Sequence, residues 1–341
     1  MGNNQEQDGC FEQNLKTAYQ SDLFMSTVKN YLSLVKFSHT IFAMPFAMIG
    51  FFLGYAKIGG LVHQWNLNQS IGWGLDLTNF RFLKSLEGKL VLVILCMVFA
   101  RSAAMAFNRY LDRNFDKENP RTAIREIPKG IISPNSALRF VIVCCILFVV
   151  CSFLINELCF FLSPVALFVV LFYSYTKRFT PLCHLVLGIG LSLAPIGAYL
   201  AVTGQFSILP VLFSFAVIFW VSGFDIIYAL QDEEFDKSQD LYSMPSWLGK
   251  AKSLRISELF HLLSTAFVVS AGIYGGFGWW YWLGVCVFIG MLIYQHSIVK
   301  PNDLSRVNIA FMTANGIASV VFSIFVIADI LISANHFHSS I

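Results

Sequence analysis

Two acidic clusters carry the chemistry this sequence offers. The first runs Asn108-Arg109-Tyr110-Leu111-Asp112-Arg113-Asn114-Phe115-Asp116, the second Asp232-Glu233-Glu234-Phe235-Asp236-Lys237-Ser238-Gln239-Asp240. In both, oxygen-bearing side chains recur at i, i+4 and i+8, a spacing that stacks them on one face of a continuous helix. Carboxylates four apart on a helix repel, and two such stripes meeting in a low-dielectric bundle repel more strongly. A hard divalent cation relieves that repulsion. Mg2+ takes a few oxygen ligands and keeps its other positions for water and phosphate. Paired stripes around a cavity therefore suggest a Mg2+-diphosphate clamp, to which Asn108 adds a neutral oxygen ligand. The plainer alternative is a set of solvated loop acids balanced by neighbouring Arg and Lys.

A diphosphate also needs cationic partners. Arg121 and Arg125 follow the first cluster, and Lys177 lies in Tyr173-Ser174-Tyr175-Thr176-Lys177-Arg178. Arg178 and Lys129 read more simply as charge beside a membrane. Arg101 sits inside an apolar run, seven residues before Asn108 and so about two turns deeper on the same face. A charge there is costly and marks a pathway or site; an aromatic carboxylate is a suitable partner, a motif acid the alternative. Asp225, seven residues before Asp232, mirrors it. Tyr173 and Tyr228 offer ring faces to a cation.

The elements that carry these residues must lie in a bilayer. Of 341 residues, 56% are apolar, 16% aromatic and 13% charged, against about 25% charged in soluble domains. The mean hydropathy is +0.65. Those figures exclude an ordinary soluble enzyme and a disordered chain, and a net charge of +3 is too small for a nucleic-acid partner. Apolar runs of the length a spanning helix needs fall near 39–56, 90–107, 138–155, 158–175, 182–203, 207–228, 257–277, 279–298 and 309–331. The fold expected is all-α and polytopic, with about nine transmembrane helices.

Lys and Arg gather in the segment before span one and after spans two, four, six and eight, which places those segments and the N-terminus in the cytoplasm. The connection 57–89 disagrees, with Lys57, Arg81, Lys84 and Lys89; an interfacial segment over Phe80–Leu90 would account for them. The first aspartates of the two clusters lie 120 residues apart, with four spans between their parent helices. That predicts a pseudo-two-fold bundle around a central cavity, each half bringing one cluster to the same face. Residues 1–28 read as a polar tail without order, and 29–335 as one membrane domain. Met1–Glu6 suggests neither myristoylation nor a cleaved leader. Eight cysteines without CxxC spacing read as small buried hydrophobes, and His39 and Pro45 as helix-start and kink features.

With these residues placed, the chain resembles the UbiA-type intramembrane prenyltransferases. Their pattern is N-x-x-x-D-x-x-x-D after the second helix, a basic tyrosine-containing loop after the fourth and D-x-x-x-D after the sixth. Residues 39–47, 101–116, 173–180 and 224–236 look most like the branch acting on 4-hydroxybenzoate. The chain departs from many members at Arg109 and Gln231, where Asp and Lys are common, and at Asp240, where Gly is common. The resemblance implies Mg2+-dependent transfer of a polyprenyl chain from polyprenyl diphosphate to the ring of a small aromatic acid, in a bacterial inner membrane with the site facing the cytoplasm. Asp112, Asp116, Asp232 and Asp236 would be catalytic as metal ligands. Arg101, Asn108, Arg121, Arg125, Tyr173, Lys177 and Tyr228 would bind substrate. A dihydroxynaphthoate on a menaquinone route is the alternative acceptor. A cation-coupled transporter is the alternative of another class, weakened by a membrane midplane nearly bare of charge.

Overall fold

The computed structural model describes residues 29–35, 44–62 and 85–337. After a short helical turn over 29–34, the helices run α1 (Met44–Val62), α2 (Leu86–Leu111), α3 (Arg113–Glu118), α4 (Pro134–Ile155), α5 (Glu157–Thr176), α6 (Cys183–Thr203) and α7 (Ile208–Ala229). A 3-10 turn, Leu230–Asp232, leads to α8 (Glu233–Ser238), α9 (Met244–Leu248), α10 (Lys250–Tyr274) and α11 (Trp279–Ile298). A π-turn, Ile309–Ala314, leads to α12 (Asn315–Phe337). Among the described residues, eight helices are long and apolar enough to cross a membrane, and α1, apolar over Met44–Gly59, is a shorter ninth. The protein is a multi-pass membrane protein.

Local signals set the helix ends. Ser85 caps α2 by accepting from Gly88 N at 3.2 Å, Ser133 caps α4 ahead of Pro134, and Asn156 caps α5 at Cys159 N. Gly204, at φ 65°, closes α6 in the left-handed region.

The two halves repeat. α2 packs on α4, α4 on α5 and α5 on α6; in the same way α7 packs on α10, α10 on α11 and α11 on α12. α1 joins them by packing on both α6 and α12, and α6 lies against α7. The main core gathers Phe46, Phe213, Trp220, Tyr281, Phe288 and Phe322 from four of these helices.

Four expectations are corrected. Neither acidic cluster lies on one continuous helix: each breaks at its first aspartate, Asp112 (φ −88°, ψ 7°) and Asp232 (φ −103°, ψ 5°), before a six-residue helix. The near-identical dihedrals 120 residues apart are the repeat expressed in the backbone. Leu86–Leu90 is the first turn of α2 and not an interfacial segment. Lys89, on that turn, donates to Val202 O at 3.2 Å near the end of α6, where helix carbonyls lack partners and attract a cation. Pro45 sits in the first turn of α1, where a missing N–H costs nothing. Span seven begins at Lys250, about two polar turns ahead of its apolar run. His39, Arg81, Lys84 and the 1–28 tail lie outside the described residues. All seven described cysteines are free thiols.

Among the described glycines, Gly50 of α1 leaves the least room, against α6: a Cβ there would stand 1.9 Å from Pro195 O, whereas one at Gly59 would meet nothing within 4 Å. Gly50→Leu is expected to destabilise the fold by about 1–3 kcal/mol or more through overpacking, and Gly59→Leu to leave it unchanged. Thermal unfolding in detergent checks both.

Candidate active site

One cavity of about 280 Å³ opens where α2, α5, α6 and α7 end on the same face, and both acidic clusters reach it. It brings together Arg101, Asn108, Asp112, Asp116, Arg121, Arg125, Tyr173, Lys177, Tyr228 and Asp232, ten of the eleven residues singled out from the sequence. The eleventh, Asp236, does not line it. Its carboxylate is fully buried behind the wall, with Oδ1 2.6 Å from Lys177 Nζ and Oδ2 accepting from Ser243 Oγ at 2.9 Å. Asp240 lies on an exposed turn at φ 53°, away from the cavity.

Each cluster aspartate except Asp240 faces a cation from another element. Asp232 receives Arg121 through two bonds, Nε to Oδ1 at 3.0 Å and Nη2 to Oδ2 at 2.5 Å, and Asn119 Nδ2 also donates to Oδ1 at 3.3 Å. Arg125 Nη1 reaches both oxygens of Asp116 at 2.7 and 2.8 Å. Asp112 accepts from Arg178 Nη2 at 2.9 Å and from Asn108 Nδ2 at 2.9 Å. Burial pushes the Asp112 carboxyl up to about 6 in spite of Arg178. Burial opposes charge on Lys177 too, and Asp236 more than offsets it, holding the ammonium above its ordinary range.

Arg178, read from the sequence as plain positive charge, is thus a site residue. Nothing local distinguishes it from Lys129; its role comes from packing α5 against the end of α2. Three further groups were not legible in the sequence. Arg109, 3% exposed, pairs with Glu126 at 2.7 Å, and Glu126 also accepts from the Ser33 hydroxyl. Asn119 braces Asp232 and, through Oδ1, the backbone N–H of Arg121. His184 Nδ1 lies 2.7 Å from Asp225 Oδ2, so Asp225 partners a histidine and is not tied to the Asp232 cluster.

The lining carries six cations (Arg101, Arg109, Arg121, Arg125, Lys177 and Arg178) against four carboxylates (Asp112, Asp116, Asp225 and Asp232). Behind that wall Asp236 closes on Lys177 and Glu126 on Arg109, so with both counted the signs balance. The lining itself still presents more cations than carboxylates to the cavity, which favours an anionic occupant. Among the described residues, no three carboxylate, imidazole or thiol groups converge on one point as a ready metal cage. The donor chemistry nevertheless suits a hard cation: every candidate ligand is an oxygen. Asp112, Asp116 and Asp232 could hold one from the cavity wall, and Asp236 could join as Lys177 turns away from it.

A second cavity of about 360 Å³ lies deeper, among α2, α4, α5 and α6, and its lining is almost wholly apolar. The two share Arg101, Met105, Tyr173, Leu187 and Leu191. Arg101 Nε is buried at this junction with no hydrogen-bond partner among the described residues. Tyr228 packs against Phe311, ring centroids 4.3 Å apart and tilted by 31°, and accepts from Arg121 Nη1 at 2.9 Å.

The sequence profile of the UbiA prenyltransferase family matches residues 77–317. A 4-hydroxybenzoate octaprenyltransferase of Francisella tularensis subsp. tularensis (strain WY96-3418) is 29% identical over 242 residues, 71% of this chain and 83% of that protein. A UbiA homolog from Aeropyrum pernix K1, solved in the apo state, is 27% identical with a TM-score of 0.67, covering 86% of this chain and 98% of that one. A UbiA homolog from Archaeoglobus fulgidus, solved bound to GPP and Mg2+, shares the fold at 21% identity and a TM-score of 0.56, covering 89% and 99%.

Glu126→Gln leaves Arg109 buried without its countercharge, and is expected to cost about 3–5 kcal/mol of stability. Removing both charges, as Arg109→Met with Glu126→Leu, is expected to recover most of that loss. The unfolding midpoint of the purified variants decides between the two outcomes.

Proposed function

The chain belongs to the UbiA prenyltransferase family, and from that premise we propose that it transfers a polyprenyl chain from polyprenyl diphosphate to the ring of 4-hydroxybenzoate, a step of quinone biosynthesis. One observation carries the reading: a cavity rich in cations opens into an apolar one of about 360 Å³. That pair of volumes suits an amphiphile with an anionic head and a long hydrocarbon tail. The name borne by the Francisella relative supports the acceptor.

In this reading, the carboxylates of Asp112, Asp116, Asp232 and Asp236, with the amide oxygen of Asn108, hold Mg2+. The chemistry supplied by the bound metal is charge neutralisation at the leaving diphosphate. Arg121, Arg125, Lys177 and Arg178, each paired with an aspartate in the structure, would then be free to pair with diphosphate oxygens. These four cations then stabilise charge as it develops on the leaving group. The donor's C1–O bond breaks with its electron pair on diphosphate, leaving an allylic cation. Tyr173 and Tyr228 present ring faces to that cation, while the apolar wall excludes water that would quench it to an alcohol. Arg101, its Nε unpaired at the junction of the cavities, holds the acceptor's carboxylate so that the carbon ortho to the hydroxyl faces C1. The tail lies in the apolar cavity among α2, α4, α5 and α6. The distribution of Lys and Arg supports a cytoplasm-facing site in a bacterial inner membrane.

The test is a transfer assay in reconstituted membranes with polyprenyl diphosphate, Mg2+ and either 4-hydroxybenzoate or a dihydroxynaphthoate. Product is expected from 4-hydroxybenzoate. EDTA should abolish it, and Asp112→Asn or Asp232→Asn should lower the rate by about 100-fold or more. Product from the naphthoate alone would move the enzyme to a menaquinone route, and product from neither would overturn the assignment.

A further inference from the structure

One carboxylate in the cavity wall differs from the others. Asp225 has no Lys or Arg partner among the described residues; its only ion-pair partner there is His184, Nδ1 to Oδ2 at 2.7 Å. His184 is buried, and its Nε2 accepts the backbone N–H of Met244 at 3.3 Å. A ring nitrogen that accepts carries no proton, so the proton of the neutral imidazole is on Nδ1 and is donated to Asp225. His184 therefore fixes the carboxylate without neutralising it. The other oxygen, Oδ1, has no hydrogen-bond partner among the described residues, and the side chain is 24% exposed in a wall of the cavity.

Its depth is equally specific. Asp225 lies seven residues before Asp232 on α7, two turns or about 10 Å further into the bundle. Arg101 stands in the same relation to Asn108 on α2. The repeat thus sets a cation and an uncompensated carboxylate at matching depths, both below the level of the diphosphate cluster. An aromatic acid held by Arg101 would lie between the donor's C1 and this carboxylate.

Resting on the function proposed above, we propose that Asp225 is the base that removes the ring proton and completes prenyl transfer. After the donor's C1–O bond has broken, the ring carbon ortho to the hydroxyl forms the new C–C bond to C1. That carbon then bears both the prenyl group and a hydrogen. The hydrogen leaves as a proton to Asp225 Oδ1, the C–H bonding pair returns to the ring, and aromaticity is restored. Asp225 passes the proton to water as the products leave, so the turnover releases diphosphate, prenylated acid and one proton.

Asp225→Asn tests this, because the amide oxygen still accepts from His184 while the basic oxygen is lost. Three quantities are read in the reconstituted enzyme: Mg2+-dependent diphosphate release from the donor without acceptor, transfer to the acid, and the isotope effect with acceptor deuterated ortho to the hydroxyl. Expected are release and KM close to wild type, kcat for transfer lowered about 100-fold or more, and a primary deuterium isotope effect that the wild type lacks. Asp225→Glu, which keeps a carboxylate, should recover part of kcat. Unchanged transfer in Asp225→Asn would overturn the proposal, as would a raised KM at unchanged kcat or the joint loss of release and transfer. Failure of the wild type to prenylate any phenolic acid would overturn the underlying reading, and this inference with it, and is distinguishable because it appears before any variant is made.

Discussion

The constraint on which the site rests is charge compensation at the edge of a low-dielectric bundle. Four aspartates are brought within one region by two clusters that repel each other. Each is closed on a cation from elsewhere: Asp112 on Arg178, Asp116 on Arg125, Asp232 on Arg121 and Asp236 on Lys177. Those cations sit on the segments after α3 and α5, so the connections must fold inward over the cavity mouth. The helix breaks at Asp112 and Asp232 serve the same end, redirecting the chain at the two points where a carboxylate has to meet a partner outside its own helix.

On the proposed function, the same ion pairs stand ready for ligand. Substrate and metal together bring both signs of charge, so their binding exchanges partners rather than burying bare charge. The carboxylates would be the groups to hold the metal, and the cations now paired with them would be free for diphosphate. Arg109 and Glu126 differ in kind. Their pair is more enclosed and is tied by Ser33 to the helical turn over 29–34, which makes it a brace for the loop that supplies Arg121 and Arg125.

Depth organises the rest. The cation-carboxylate network lies at the helix ends, Arg101 and Asp225 about two turns below it, and the apolar cavity further in. A reaction through an allylic cation needs that ordering, since the charged groups that assist departure of the leaving group also attract water, while the cation has to form against hydrocarbon and aromatic faces.

The sequence alone determined the all-α membrane class, nine apolar spans, the two-fold repeat, and eleven candidate residues of which ten line the cavity. Those features follow from composition, hydropathy and spacing, which act locally along the chain. Only the tertiary structure decided the pairings. Arg178 meets Asp112 across 66 residues, Arg121 meets Asp232 across 111 and His184 meets Asp225 across 41. It also turned Asp236 behind the wall and broke each acidic stripe at its first aspartate. The physical reason is that an ion pair forms where helix rotation and loop path bring two charges within about 4 Å. Both depend on how every helix packs, so no local spacing distinguishes Arg178, which faces the cavity, from Lys129, which does not.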